Sequence, residues 1–452
     1  MTKKSNPGAM PVLRTDVAGA DLGSREHWVA APPRADGKPN VRTFGTTTKE
    51  LHAMADWLLE MGVHSVAMES TGIYWVPLFE LLQHRGIEPV LVNAQHLKGV
   101  PGHKSDMIDC QWIQRLHSCG LLRGSFHPDE AITALRALHR QQSNLVDART
   151  RAVQWMQKSL DQMNVQIHRA VTDLTGKTGM AIVRAIVDGE RDPLKLAQLR
   201  DCRCSKSVER IAEHLTGTWH AEHLFNLARA LELYEHLQEQ NARYDAELTA
   251  QIQALQPPER AELPLAEHPN PTKHRAMRRH DQLSLRQDLW RFAGVDLTRI
   301  DAIAPAAARS ILTEVGLDLS AFPSEKHFVS WLRLCPRVAR SGGKPVKKRR
   351  NGAGANRIAG LLRVAALSLV RSKTALGALY RRVAFRKGGR VALLATARQL
   401  AILIYRTLRY GNEYVDVGQD AYNQRFEDRR LRSLHASAKE LGYQLLPISQ
   451  SA

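Results

Sequence analysis

Four carboxylates in the first quarter of the chain are spaced so that one fold could gather them. Asp21 falls at the end of the apolar run VAGADL, Glu69 closes HSVAME, and Asp106 and Asp109 lie in KSDMIDC. Residues three apart share a helix face, so Asp106 and Asp109 can point at one place. Strand ends in an open α/β sheet face a common crevice, where Asp21 and Glu69 would meet them. Two divalent ions held by such a cluster can activate an attacking oxygen and stabilise a leaving one in phosphodiester transfer. Magnesium suits an all-oxygen donor set of this kind. Taken singly, each carboxylate is also explained as a solvated side chain or a cap, Asp106 at a helix N-terminus being the plainest case.

Those positions need a scaffold. The β-rich runs VAGADL (17–22), HWVAA (27–31), HSVAME (64–69) and EPVLVN (88–93) alternate with helical stretches over 48–61, 77–85 and about 105–116. That alternation predicts an α/β layer around a central sheet. From Asp129 to Leu174 the chain turns helical, with Ile132, Leu135, Leu138, Leu145, Val153, Met156, Leu160 and Met163 recurring in three-, four- and seven-residue steps, the signature of a long amphipathic helix. A second such segment, about 221–255, carries Leu224, Leu227, Leu231, Tyr234, Leu237, Tyr244 and Leu248. The two could pair as an antiparallel hairpin or as a coil between chains. Residues 176–217, broken by Gly and Pro, form a compact helical connector. The stretch 257–280 is rich in Pro and charge with little apolar periodicity, the composition of a linker. Beyond it a mainly helical unit is interrupted by the basic loop RVARSGGKPVKKRRNGAGANR (337–357).

Composition narrows the partner. The 452 residues carry 64 Lys and Arg against 45 Asp and Glu, a formal charge of +19, which favours a polyanion such as nucleic acid over an acidic metabolite. Arg136, His139, Arg140, Arg149, Arg151 and Lys158 on the long helices could track an RNA or DNA backbone, or simply form a solvated face. Trp112, Trp155, Trp219, Trp290 and Trp331 could stack on bases, or serve a core or an interface. The N-terminus lacks the apolar core of a signal peptide, and no run reads as a membrane span. Five scattered cysteines do not make a disulfide framework, and Cys202, Cys204 and His214 fall short of the four ligands of a structural zinc site. A reducing cytoplasm fits these features.

Three segments, GADLGSREHWV, AMESTGIYW and NAQHLKGVPGHKSDMIDCQWIQRL, resemble the DEDD insertion-sequence transposases of the one-ten family. In the C-terminal half, ILTEVGLDLSAFPSEKHFVSWLRLCPRVARSGGK (311–344) and NRIAGLLRVAALSL (356–369) are similar to that family's second domain. The resemblance spans roughly 16–410 in the family's order. It implies a RuvC-like RNase H fold with Asp21, Glu69, Asp106 and Asp109 as magnesium ligands. It also implies Ser341 as a nucleophile forming a covalent phosphoserine link to DNA, and a noncoding bridge RNA that selects donor and target sites by base pairing. An oligomer, dimer or tetramer, is implied as well.

Seen from the residues alone, Ser341 is suitable. A hydroxyl needs a base, a metal or a positive field to attack, and Gly342 and Gly343 let the backbone approach a phosphate closely. Lys344, Lys347, Lys348, Arg349, Arg350 and Arg357 supply the field. An exposed Ser-Gly-Gly turn that only binds phosphates is the other reading. The chain departs from the family pattern where a glycine-containing turn is replaced by IDAIAPAAARS (300–310), where Cys110 follows the last aspartate, and where RLCP (333–336) stands for Gly-Leu-Xaa-Pro. Ala304-Pro305 cannot offer the same free backbone N–H groups to a phosphate.

The expected architecture is therefore an α/β RNase H/RuvC-like N-terminal domain, a helical coiled-coil middle and a mainly α C-terminal transposase domain. The boundaries expected are a flexible tail (1–15), the catalytic domain (16–125), the helical domain (126–256), a linker (257–284), the domain carrying the serine (285–410) and a C-terminal tail (411–452). The rival functions are a RuvC-like DNA endonuclease with no covalent intermediate and a catalytically silent nucleic-acid-binding protein.

Overall fold

A computed structural model describes residues 11–34, 36–70, 72–93, 106–204, 206–280, 282–335, 340–341, 344–345, 356–411 and 414–446; the side chains of 106, 340, 341, 344 and 345 lie outside the description. The chain divides into two compact units, Met1–His127 and Pro128–Ala452.

In the first unit, β1 (Val17–Leu22), β2 (Glu26–Ala31) and β3 (Asn40–Gly45) form an antiparallel meander, while β4 (Ser65–Glu69) and β5 (Glu88–Val92) add in parallel on the other side of β1. The sheet order is β3-β2-β1-β4-β5, which fits the RNase H-like layer that the resemblance implies. Edge strand β3 escapes sequence pattern. Only Phe44 of NVRTFG is buried, so the alternation that marks a half-buried strand is nearly absent.

Helices cover both faces. On one lie α1 (Thr48–Glu60) and α2 (Trp75–His84), over a core of Ala18, Ala20, Leu22, Val66 and Met68. Helix α1 starts where Thr47 caps the Glu50 amide, and it buries Leu51, Met54, Ala55 and Leu58 at helical spacing. On the other face lies α3 (Asp106–Ser118), whose Ile113 packs against Ala67 and Val92. A buried hydrogen bond of 2.9 Å between Ser65 Oγ and His117 Nε2 fastens its far end to β4.

Among the described residues, the second unit is helical apart from one short ladder. Helices α4 (Glu130–Gln162) and α9 (Ala221–Ala254) run antiparallel: Thr218, just before α9, donates to the Met163 carbonyl at the end of α4, while Gln142 on α4 reaches Asp245 far along α9. The hairpin thus forms within the chain. Between them α5 (Ile167–Ala170), α6 (Lys177–Val187), α7 (Pro193–Gln198) and α8 (Val208–Glu213) close a core around Met156, Leu160, Ile182, Val183, Ile211 and Leu227.

The stretch 257–284 carries a 3-10 turn (Pro258–Arg260) and α10 (Pro271–Arg279). His268 and Met277 there are buried, and Lys273 pairs with Asp301 at 3.2 Å while donating to the Ile300 carbonyl. Then follow α11 (Leu283–Ala293), a 3-10 turn (Leu297–Arg299), α12 (Pro305–Val315), α13 (Glu325–Trp331), the strands β6 (Arg340–Ser341) and β7 (Lys344–Pro345), α14 (Arg357–Ser368), α15 (Ala375–Lys387), α16 (Gly389–Tyr410) and α17 (Gly418–Glu440). Sequence reading found no membrane span, yet α16 is long and apolar enough to cross one. Its packing gives a different account: Ala397, Leu400, Ala401, Ile404 and Tyr405 are buried, with α13, α14 and α15 around them. Helix α17 buries no residue fully and rests on α15, where Arg382 lies 4.0 Å from the centre of the Phe426 ring.

Candidate active site

Side chains alternate across a strand, so Ala18, Ala20 and Leu22 turn to α1 and α2 while Gly19 and Asp21 turn to α3. The same alternation on β4 sends Ala67 and Glu69 to the α3 side. The parallel register pairs Ala20 with Met68, and one step beyond that pair Asp21 and Glu69 stand on neighbouring strands. Both are half-buried.

Helix α3 brings the third member. It lies directly on β1, because Gly19 has no Cβ: one built there would fall 2.2 Å from the Gln114 nitrogen and 2.5 Å from the Cys110 oxygen. Gln114 also donates to the Val17 carbonyl, so the helix runs against the direction of β1 and its N-terminus lies toward Asp21. Asp109 is half-buried there, and Asp106 opens the helix one turn before Cys110. The thiol of Cys110 registers the convergence. Burial, then the charge of Asp21, with Asp109 adding to it, push its pKa up to about 12.

Gly19 was not singled out from sequence. A lone glycine inside a strand pattern is the available signal, since it marks close backbone approach. The carboxylate donors suit a hard cation. Among the described residues, however, no three His, Cys, Asp or Glu side chains are gathered closely enough to hold a metal ion.

In the second unit Ser341 ends β6 and Lys344 begins β7, and the antiparallel register pairs the two directly. Gly342, Gly343, Lys347, Lys348, Arg349 and Arg350 lie outside the described residues. Arg357 is the exposed first residue of α14, after Asn356 caps the helix by accepting from the Ala359 amide. Its charge reaches His139 on α4.

Three of the basic side chains that could track a nucleic-acid backbone have partners within the chain, Arg140 while staying exposed. Arg140 grips Glu314 of α12 through both carboxylate oxygens, at 2.8 and 2.7 Å, Arg136 donates to the Glu314 carbonyl, and His139 shares a 2.9 Å hydrogen bond with Ser310. Arg151 and Lys158 remain exposed and Arg149 half-exposed.

Family comparison settles what kind of protein carries these features. A transposase family model of the DEDD IS110 type matches residues 18–165, and one described as the transposase IS116/IS110/IS902 family matches residues 295–381. The chain belongs to the IS110-family transposases. It is a DNA transposase, an enzyme whose partner is DNA. In the transposase, the first match covers β1, β4, α3 and the carboxylates Asp21, Glu69, Asp106 and Asp109, and runs on through α4. The second covers α12, α13, the β6–β7 ladder and α14. No curated protein matches the transposase at a significant level.

Proposed function

We infer that this transposase cuts and rejoins DNA through a covalent phosphoserine intermediate, with Asp21, Glu69, Asp106 and Asp109 as the magnesium site and Ser341 as the nucleophile. The observation that carries the reading is the register that stands Asp21 beside Glu69 on the face covered by α3, in a chain of this family. When bound, magnesium supplies charge stabilisation at the scissile phosphate. The carboxylates hold and orient it. As Ser341 gives up its hydroxyl proton to solvent, Oγ bonds to phosphorus, the bond to the leaving deoxyribose oxygen breaks, and that oxygen takes up a proton from solvent. Lys344, Lys347, Lys348, Arg349, Arg350 and Arg357, with the Gly342 and Gly343 backbone, stabilise the negative charge on the phosphate oxygens.

Site choice in this reading belongs to an element-encoded bridge RNA that pairs with donor and target DNA, and the working form is a homo-oligomer, dimer or tetramer, in the bacterial cytoplasm beside the nucleoid. The test is incubation of the purified transposase with magnesium, its element's flanking transcript and end-labelled matching DNA, followed by a search for a denaturant-resistant protein–DNA adduct. The adduct is expected with the wild type and lost in Ser341→Ala and in Asp21→Ala. Cleavage that persists in Ser341→Ala without an adduct would leave a RuvC-like hydrolase.

A further inference from the structure

Phe385 is 93 % exposed at the end of α15, and every residue from Phe385 to Arg390 faces solvent. The two helices meet there at a tight corner, Gly388 holding φ at +81° before α16 begins at Gly389. A bare phenyl ring forgoes the gain that burial gives an aromatic side chain, so what it would meet is worth asking. Its neighbours restrict the answer. Lys387 and Arg390 flank it, and neither forms an ion pair with a described carboxylate. No aspartate or glutamate occurs between Glu325 and Glu413, 87 residues that carry 21 lysines and arginines. On the side toward α17, Arg382 and Arg386 lie over the Phe426 ring.

A partner that brings both negative charge and flat apolar faces is nucleic acid, and DNA is the partner of this family. An intact duplex hides its base faces in the stack. Only an unpaired or unstacked base presents one to a phenyl ring. We propose that the α15–α16 corner is a DNA-binding site in which Phe385 stacks on an unstacked base while Lys387 and Arg390 hold the flanking phosphates. The proposal rests on the DNA partnership and is independent of the phosphoserine chemistry.

The experiment measures binding by the full chain, in EDTA and without guide RNA, to a labelled duplex, to the same duplex with a run of unpaired bases, and to RNA of that sequence. Because no cleavage is read, a wrong nucleophile assignment leaves the result unchanged. Phe385→Ala is expected to weaken binding to the DNA with unpaired bases roughly ten-fold, with duplex affinity changed less than two-fold, and Phe385→Trp to restore it. Lys387→Ala and Arg390→Ala are expected to lower the salt dependence of DNA binding by about one ion each, while Phe385→Ala leaves it unchanged. Equal loss on both DNAs, loss confined to RNA, or a change of oligomeric mass in Phe385→Ala by light scattering would each overturn the proposal, the last by making the corner a contact between copies.

Discussion

Ala302 and Arg333 hold left-handed backbone angles, φ +64° and +58°, that L side chains adopt at a cost of about 1 kcal/mol. Both fall in the segments where this chain departs from the family's glycine-bearing pattern, so the glycine there has a conformational reason, whatever it also does for a ligand. Ala302→Gly is therefore expected to raise stability by about 1 kcal/mol, read as a higher urea midpoint at unchanged slope. A lower midpoint would mean that the Ala302 methyl, half-buried in the structure, contributes more packing than the strain costs. The resemblance marked the departures; only the backbone angles give them a physical reason. At Gly19 the same scale works in reverse, since the missing methyl is what admits α3 to β1 and carries Asp109 toward Asp21.

Between elements, the decisive contact in the second unit is α12 against the α4–α9 hairpin. Glu314 is 9 % exposed and receives Arg136 and Arg140, while Arg309 pairs with Asp245 of α9 at 2.8 Å. Removing one partner of such a group leaves buried charge uncompensated. Glu314→Ala is expected to cost roughly 3 kcal/mol, measured by urea unfolding. Lys158→Ala, on the exposed side of α4, is expected to cost less than about 0.5 kcal/mol. Equal effects would demote α12 to a loosely attached helix. From sequence these arginines looked like a cationic surface, because helical periodicity places them on a face but does not say what covers that face. The segment 257–284 shows the same gap: its composition is that of a linker, yet Lys273 and Met277, one turn apart, tie α10 down.

Across the molecule, among the described residues, His27, His117 and His268 are buried and His139 is half-buried, and the last three bond groups elsewhere in the chain. His117 bonds Ser65, His139 bonds Ser310, His268 receives the Asn270 amide and faces the Thr298 carbonyl, and His27 sits in β2. Burial is the first cause lowering each below the ordinary histidine value of 6.5, with Arg14 adding to it at His117 and Arg309 at His139. The unfolded chain therefore binds protons more readily than the folded one as pH falls through 6.5. Their contribution is complete above that value and is lost on acidification. The urea midpoint is expected to fall between pH 7.5 and 5.5, a window above the range where carboxylates titrate. A midpoint that rises over this interval would show that another group, gaining a proton favourably in the folded state, outweighs all four.

What the sequence determined by itself was local. Short apolar, β-rich runs gave β1 and β4 with Asp21 and Glu69 on them, and helical periodicity gave α4 and α9 to within a residue or so at their starts, though the first was read on to 174, well past its end at Gln162. The acids of KSDMIDC stood out as candidates because residue type and spacing are properties of a few neighbouring positions, whereas the serine of RSGGK was marked by the family resemblance. Tertiary structure alone decided which faces those elements share. It recruited β3 as an edge strand by backbone pairing with β2, which needs little side-chain pattern. It packed the apolar α16 against neighbouring helices and set the half-buried Arg136 and the exposed Arg140 against Glu314. Burial and ion pairing depend on groups 100 or more residues away, and local spacing carries no record of them; Arg140 and Glu314 are separated by 174 positions.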